Sequence, residues 1–125
     1  MMIAIDFDGT CVSSNYPYLG KDIGAAPVLK KLVDNGHKLI LYTMRDTGHF
    51  IDVAIKWFKD NNIPLFAIND NPEISMSRKV YAHLYIDDTA LGIPLIKDPN
   101  EKWPYVDWKE VEILLKRKGI INEIN

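Results

Sequence analysis

The 125-residue sequence predicts an α/β fold built on a central parallel sheet. Three observations carry that reading. Short, nearly continuous apolar runs recur along the chain. Amphipathic helical patterns separate them. Polar and acidic residues stand directly after most of the runs. A strand buried on both faces reads as an unbroken apolar run, and its alternation with helices is the pattern of a doubly wound sheet.

Met2–Ile5 (MIAI) reads as the first strand and residues 37–43 (HKLILYT) as the second. Residues 65–68 (LFAI) and 83–86 (HLYI) follow as the third and fourth. Residues 93–96 (IPLI) add a short edge strand, where the missing N–H of Pro94 is tolerated. Residues 26–35 set Val28, Leu29, Leu32 and Val33 at helical spacing and stop before Gly36. Residues 47–61 do the same with Ile51, Ala54, Ile55 and Phe58. A short helix is predicted over 77–82. A final one is predicted over 107–118, opened by Asp107 with Glu110 three residues on and closed at Gly119. Residues 11–24, 69–76 and 98–105 read as loops rich in Pro, Gly, Asn and Ser. There is no internal repeat or low-complexity tract, and the length suits one domain over residues 1–125.

The formal net charge of −2 gives no bulk attraction to nucleic acid or to an anionic membrane. A lone Cys11 forms no internal disulfide and fits a reducing, cytoplasmic setting. Neither a leader nor a membrane span is expected, because basic and long apolar stretches are both missing. The sequence also lacks a Gly-x-x-x-x-Gly-Lys phosphate loop, a Gly-x-Gly-x-x-Gly fingerprint, Cys/His zinc spacing and a serine nucleophile elbow.

Ligands of an open parallel sheet bind beyond the carboxyl ends of its strands. Asp6 and Asp8 follow the first strand, Thr43 and Arg45 the second, Asn69 and Asp70 the third, and Asp87 and Asp88 the fourth. Carboxylates crowded in this way repel and call for a cation. With no His or Cys partner, the donor set points to a hard ion, most simply Mg²⁺, which commonly works on phosphate. Carboxylates also act as nucleophiles toward phosphorus. Asp6 and Asp8, two residues apart on an extended strand, share one side. The first can attack while the second gives and takes the proton.

At these residues the chain resembles the haloacid dehalogenase superfamily of aspartate-dependent phosphohydrolases. Asp6-Phe7-Asp8-Gly9-Thr10 resembles its DxDGT signature, Thr43 its second motif, Lys79 its third-motif lysine and Asp87-Asp88 its acidic fourth motif. The resemblance spans residues 2–96 and implies a three-layer Rossmann-like domain. It makes Asp6 the nucleophile of an aspartyl-phosphate and Asp8 the general acid and base. It assigns Thr43 and Lys79 to the phosphoryl oxygens, and Asp6, the Asp8 carbonyl, Asp87 and Asp88 to Mg²⁺. Gly9, Thr10 and Arg45 join the expected substrate-binding set, Arg45 through two-point recognition of a second anion or, alternatively, through a surface ion pair. An Asp at position 8 fits hydrolysis of a phosphate ester rather than ion pumping or dehalogenation.

The intervals between the motifs are filled by strands and helices, so the resemblance is to capless members with open sites. The expected substrate is a phosphorylated small molecule or a phosphorylated macromolecule end, with a homo-oligomer neighbour or partner covering the site. The competing readings are a metal-binding partner module without catalysis and a phosphotransferase. Cys11 reads as small packing and His49 as a solvated helix-start residue. Trp103 and Trp108 read as pins for the last helix, and Lys116-Arg117-Lys118 as cations favoured at a helix C-terminus. Tyr16 and Tyr18 either stack on a ring of the substrate or pack their loop.

Overall fold

Four parallel strands form the main sheet of the computed structural model, which describes residues 1–122. They are β1 (Met2–Ile5), β2 (Lys38–Leu41), β3 (Ala67–Ile68) and β4 (Leu84–Ile86), in the order β3-β2-β1-β4. Helices α1 (Ala25–Asp34) and α2 (Gly48–Asp60) form the first two crossovers, and α3 (Trp108–Arg117) follows the sheet. This is the expected α/β Rossmann-like arrangement. Each strand is shorter than, or equal to, its predicted span. Ile5 pairs with Leu41 and Ile86, and Leu41 with Ile68, so all four strands end at one level.

Both faces of the sheet are covered, as the unbroken apolar strands require. Ile3, Ile5, Leu39 and Leu41 share one core with Val28, Leu29 and Leu32 of α1, Ala54 and Phe58 of α2, and Val111 and Leu115 of α3. Burying each large aliphatic side chain there contributes about 1.5–3 kcal/mol. The opposite face packs Met2 and Ile40 on Val80, with Tyr42, Phe66, Ala67 and Ala82 around them.

Among the described residues that second face carries no helix. The helix expected over 77–82 is replaced by an irregular segment, with bends over 76–79. Six residues give barely more than one turn, too few to offset the cost of nucleation. Side chains also take the backbone groups that a helix would use. The Tyr85 hydroxyl donates to the Val80 carbonyl at 2.6 Å and accepts from the Ala82 N–H at 3.2 Å. Buried Asn71 donates to the Tyr81 carbonyl at 2.9 Å.

Residues 93–96 do not form an edge of the main sheet. β5 (Leu95–Ile96) pairs antiparallel with β6 (Tyr105–Val106), a strand lying at the end of a stretch that reads as loop. The Val106 N–H donates to the Gly9 carbonyl at 3.0 Å and ties this hairpin to the turn after β1. The predicted cap of the last helix forms in part. The Asp107 carboxylate accepts from the Glu110 N–H at 3.2 Å, while the Asp107 N–H goes to the Pro94 carbonyl. Among the described residues no helix is long and apolar enough to cross a membrane.

Candidate functional site

The turn after β1 is built around Phe7. Its buried ring lies edge-on to Trp57 at 5.9 Å between centroids. Its carbonyl accepts the N–H groups of Thr10 at 3.1 Å and Cys11 at 2.8 Å. Anchoring Phe7 in the core leaves Asp6 and Asp8, its neighbours on either side, on the same cavity. The i and i+2 expectation therefore holds beyond the last residue of β1. Asp87 and Asp88 line the cavity from the end of β4, and Thr43 and Met44 from the end of β2. Thr89, just after the two acids, and Tyr16, from the long loop after β1, also line it, and its volume is about 430 Å³.

Asp6, Asp87 and Asp88 form the tight group. Each offers a carboxylate oxygen, all within 4.8 Å of one another. Thr10 sits between two of these acids. Its hydroxyl lies 2.8 Å from Asp6 Oδ2 and 3.3 Å from Asp88 Oδ1, and it accepts from the Asp88 N–H at 3.0 Å. Trp108 holds Thr10 from behind, its Nε1–H donating to the Thr10 carbonyl at 2.6 Å. Burial, the bond to Asp88 and the charge of Asp87 push Asp6 up to about 8. Burial also raises Asp88. Thr89 steadies Asp87, donating its N–H and hydroxyl to Asp87 Oδ1, each at 2.9 Å.

Asp8 faces a different partner. Arg45 grips its carboxylate at two points, Nε to Oδ2 and Nη2 to Oδ1, both 2.8 Å. The other guanidinium hydrogens go to the carbonyls of Pro17, Phe50 and Tyr18 at 2.9–3.0 Å. All five donors are used, and the Arg45 side chain is 0% exposed. Arg45 is thus neither a free anion-binding group nor a surface ion pair. It holds Asp8, the 16–18 loop and the start of α2 together.

Three other expected ligands, Gly9, Thr10 and Lys79, are likewise not among the residues lining the cavity. Gly9 donates its N–H to the Val12 carbonyl and accepts from Val106, so neither backbone group faces a substrate. Its role is space. It sits at φ +79°, and a Cβ there would lie 2.3 Å from Asp88 Oδ2. Thr10 is fully buried and positions carboxylates rather than substrate. Lys79 is exposed, with its Nζ over the Tyr85 ring at 5.1 Å, and is not among the residues lining the cavity.

Thr43 lines the cavity, and its hydroxyl accepts from the Arg45 N–H at 3.2 Å. Asn69 fixes this turn from the end of β3. Its Oδ1 accepts from the Thr43 N–H at 2.8 Å and its Nδ2 donates to the Arg45 carbonyl at 3.2 Å. Asn69 itself adopts φ +53°, a conformation that Asn tolerates better than most residues. Asp70 is exposed and does not line the cavity. Cys11 is buried, its thiol pushed well up by burial and by Asp6 and Asp8, which suits packing. His49 is exposed at the start of α2, and Trp108 pins α3 as expected.

The chain matches no protein-family model and no curated protein. It is similar to a solved structure of a protein from Bacteroides thetaiotaomicron, described only as the conserved protein coded by a locus. The two are 35% identical, with a TM-score of 0.76 over 94% of this chain and 91% of the other.

Proposed function

We propose that this chain, which belongs to the same family as that conserved Bacteroides thetaiotaomicron protein, is a Mg²⁺-dependent phosphohydrolase acting through an aspartyl-phosphate. One observation carries the reading. Three carboxylates bring oxygens within 4.8 Å of one another at the carboxyl edge of the sheet, and a fourth, Asp8, lines the same cavity. An all-oxygen donor set suits a hard divalent ion; burial first, and then the neighbouring Asp88 and Asp87, raise Asp6, and a bound cation would offset the charge crowded there. The residues present therefore fit Mg²⁺, which Asp6, Asp87 and Asp88 would hold, with the Asp8 carbonyl as a further ligand in this proposal. Bound there, it would neutralise charge on the phosphoryl oxygens.

The chain's own groups supply the remaining steps. An Asp6 carboxylate oxygen attacks phosphorus, and the bond from phosphorus to the leaving oxygen breaks. Asp8, which must first loosen its two-point contact with Arg45 and take up a proton, delivers that proton to the leaving oxygen and releases the alcohol. Water then attacks the phosphorus of the acyl phosphate while Asp8 takes its proton. Asp6 leaves as the carboxylate, and inorganic phosphate is formed. The Thr43 hydroxyl donates to a phosphoryl oxygen. Lys79 keeps its phosphate-binding role as part of this proposal, and that role requires it to leave the Tyr85 ring.

The test is release of phosphate from p-nitrophenyl phosphate and a panel of alkyl and sugar phosphates, with Mg²⁺ and with EDTA. The wild type is compared with Asp6→Asn, Asp8→Asn and Lys79→Met. Turnover that needs metal and is lost in both aspartate variants supports the reading. Metal binding with a silent panel favours the partner-module reading instead.

A further inference from the structure

The mouth of the cavity has two unlike sides. Beyond β4 stand the carboxylates Asp87 and Asp88 with Thr89, while beyond β2 stand Thr43, Met44 and, from its loop, Tyr16. Met44 is 96% exposed and Tyr16 55%, although both line the cavity. Tyr16 is nevertheless held in place. Its ring lies 5.7 Å from that of Phe50 and 5.0 Å from the Arg45 guanidinium carbon. An aromatic face and a flexible thioether side by side make an adaptable apolar grip.

The charge balance narrows what this grip can hold. Among the described residues four carboxylates line the cavity, and none of the lining residues is Lys, Arg or His. The nearby guanidinium of Arg45 has no hydrogen left to donate. In the phosphohydrolase reading Mg²⁺ and Lys79 are taken up by the phosphate itself, so a second anionic group on a substrate would meet carboxylates with no further cation. A polyhydroxylated leaving group would find few polar partners against Tyr16 and Met44.

Building on the phosphohydrolase reading, we infer that the substrate is the phosphate monoester of an uncharged small alcohol bearing an apolar or aromatic ring. The ring rests between Tyr16 and Met44, and the phosphate faces the acids. Tyr16 and Met44 thereby set the choice of leaving group, and the carboxylates reject substrates with a second negative charge.

Benzyl phosphate, 4-carboxybenzyl phosphate and methyl phosphate test this, because the first two differ mainly in a distant charge and the first and third in the ring. Both kcat/KM with Mg²⁺ and equilibrium binding by calorimetry are measured. Binding uses Asp6→Asn protein with Mg²⁺, so that it stays readable without turnover. Benzyl phosphate is expected to exceed each of the others by about tenfold or more. Met44→Ser, which alters a side chain standing in solvent, should raise KM for benzyl phosphate several-fold more than for methyl phosphate. Tyr16→Ala should do so more strongly, and Met44→Lys should shift preference toward the carboxylated ester. Equal handling of the three esters would overturn the inference and leave the phosphohydrolase reading standing. Binding that prefers the benzyl ester and depends on Tyr16, without turnover, would support the ring site and defeat the hydrolase reading. Activity confined to phosphorylated polymer ends would overturn the small-alcohol assignment.

Discussion

Arg45 and Asp8 form a two-point ion pair, both contacts 2.8 Å, in which the guanidinium is 0% exposed and the carboxylate 18%. The Arg45 guanidinium also lies between two rings, 5.4 Å from the Phe7 centroid and 5.0 Å from that of Tyr16. One side chain thus fixes the second acid of the first motif, the loop that follows it, and α2.

Arg45→Met should destabilise the fold by about 3–5 kcal/mol, because it strips a buried pair of one partner and takes a donor from the carbonyls of Pro17, Tyr18 and Phe50. Arg45→Lys should recover only part of this, since an ammonium cannot reproduce the fork. Denaturant midpoints at fixed m-value measure both. A cost below about 1 kcal/mol for Arg45→Met would contradict the role assigned here.

Gly9→Ala places a methyl 2.3 Å from Asp88 Oδ2 at φ +79°. Backbone strain of about 1–3 kcal/mol is expected, together with displacement of Asp88. Mg²⁺ affinity by calorimetry should fall at least about tenfold. Unchanged affinity would show that Asp88 does not contribute to the ion's site.

Thr10→Val removes the hydroxyl shared by Asp6 and Asp88 and strands the Asp88 N–H. The cost should be about 1–3 kcal/mol, with weaker Mg²⁺ binding. Thr10→Ser keeps the hydroxyl and should retain most of the binding. Thermal melts with and without Mg²⁺ separate the two variants.

The raised carboxyl of Asp6 sets a pH dependence. Its folded value, about 8, lies above the ordinary 3.8, so between those values the folded protein holds more protons than the unfolded chain. Its contribution to stability is full below 3.8 and is lost as pH rises through about 8. Asp88 acts in the same direction. In EDTA the melting temperature should therefore fall across this window, and Asp6→Asn should flatten the slope. Mg²⁺ competes with the shared proton, so its stabilisation should grow with pH. A melting temperature that rises with pH in EDTA, with no effect of Asp6→Asn, would contradict this.

The sheet and the four acids were legible because each rests on local pattern. Unbroken apolar runs announce buried strands, and parallel pairing brings their polar successors to one edge. Contacts distant in sequence were not legible. Nothing local to Arg45 reveals the carbonyls of Pro17 and Tyr18 that complete its shell, so two-point chemistry suggested a ligand instead. Thr10 and Gly9 lie in a motif that names a chemistry, yet their groups serve the motif's own geometry. The segment over 77–82 reads as helical by composition, but a tyrosine hydroxyl on β4 takes its backbone bonds. β6 has only two residues, too few for an alternating pattern to register.

The central claim is that Asp6 attacks phosphorus. Borohydride reduces an acyl phosphate to an alcohol, so a reaction quenched during turnover converts the attacking aspartate to homoserine. Peptide mass spectrometry of the N-terminal segment then reads the site. The account predicts homoserine at Asp6 only when phosphate ester and Mg²⁺ are both present, and none in Asp6→Asn. Turnover with Asp6 unmodified, or modification at Asp8, Asp87 or Asp88 instead, would contradict it.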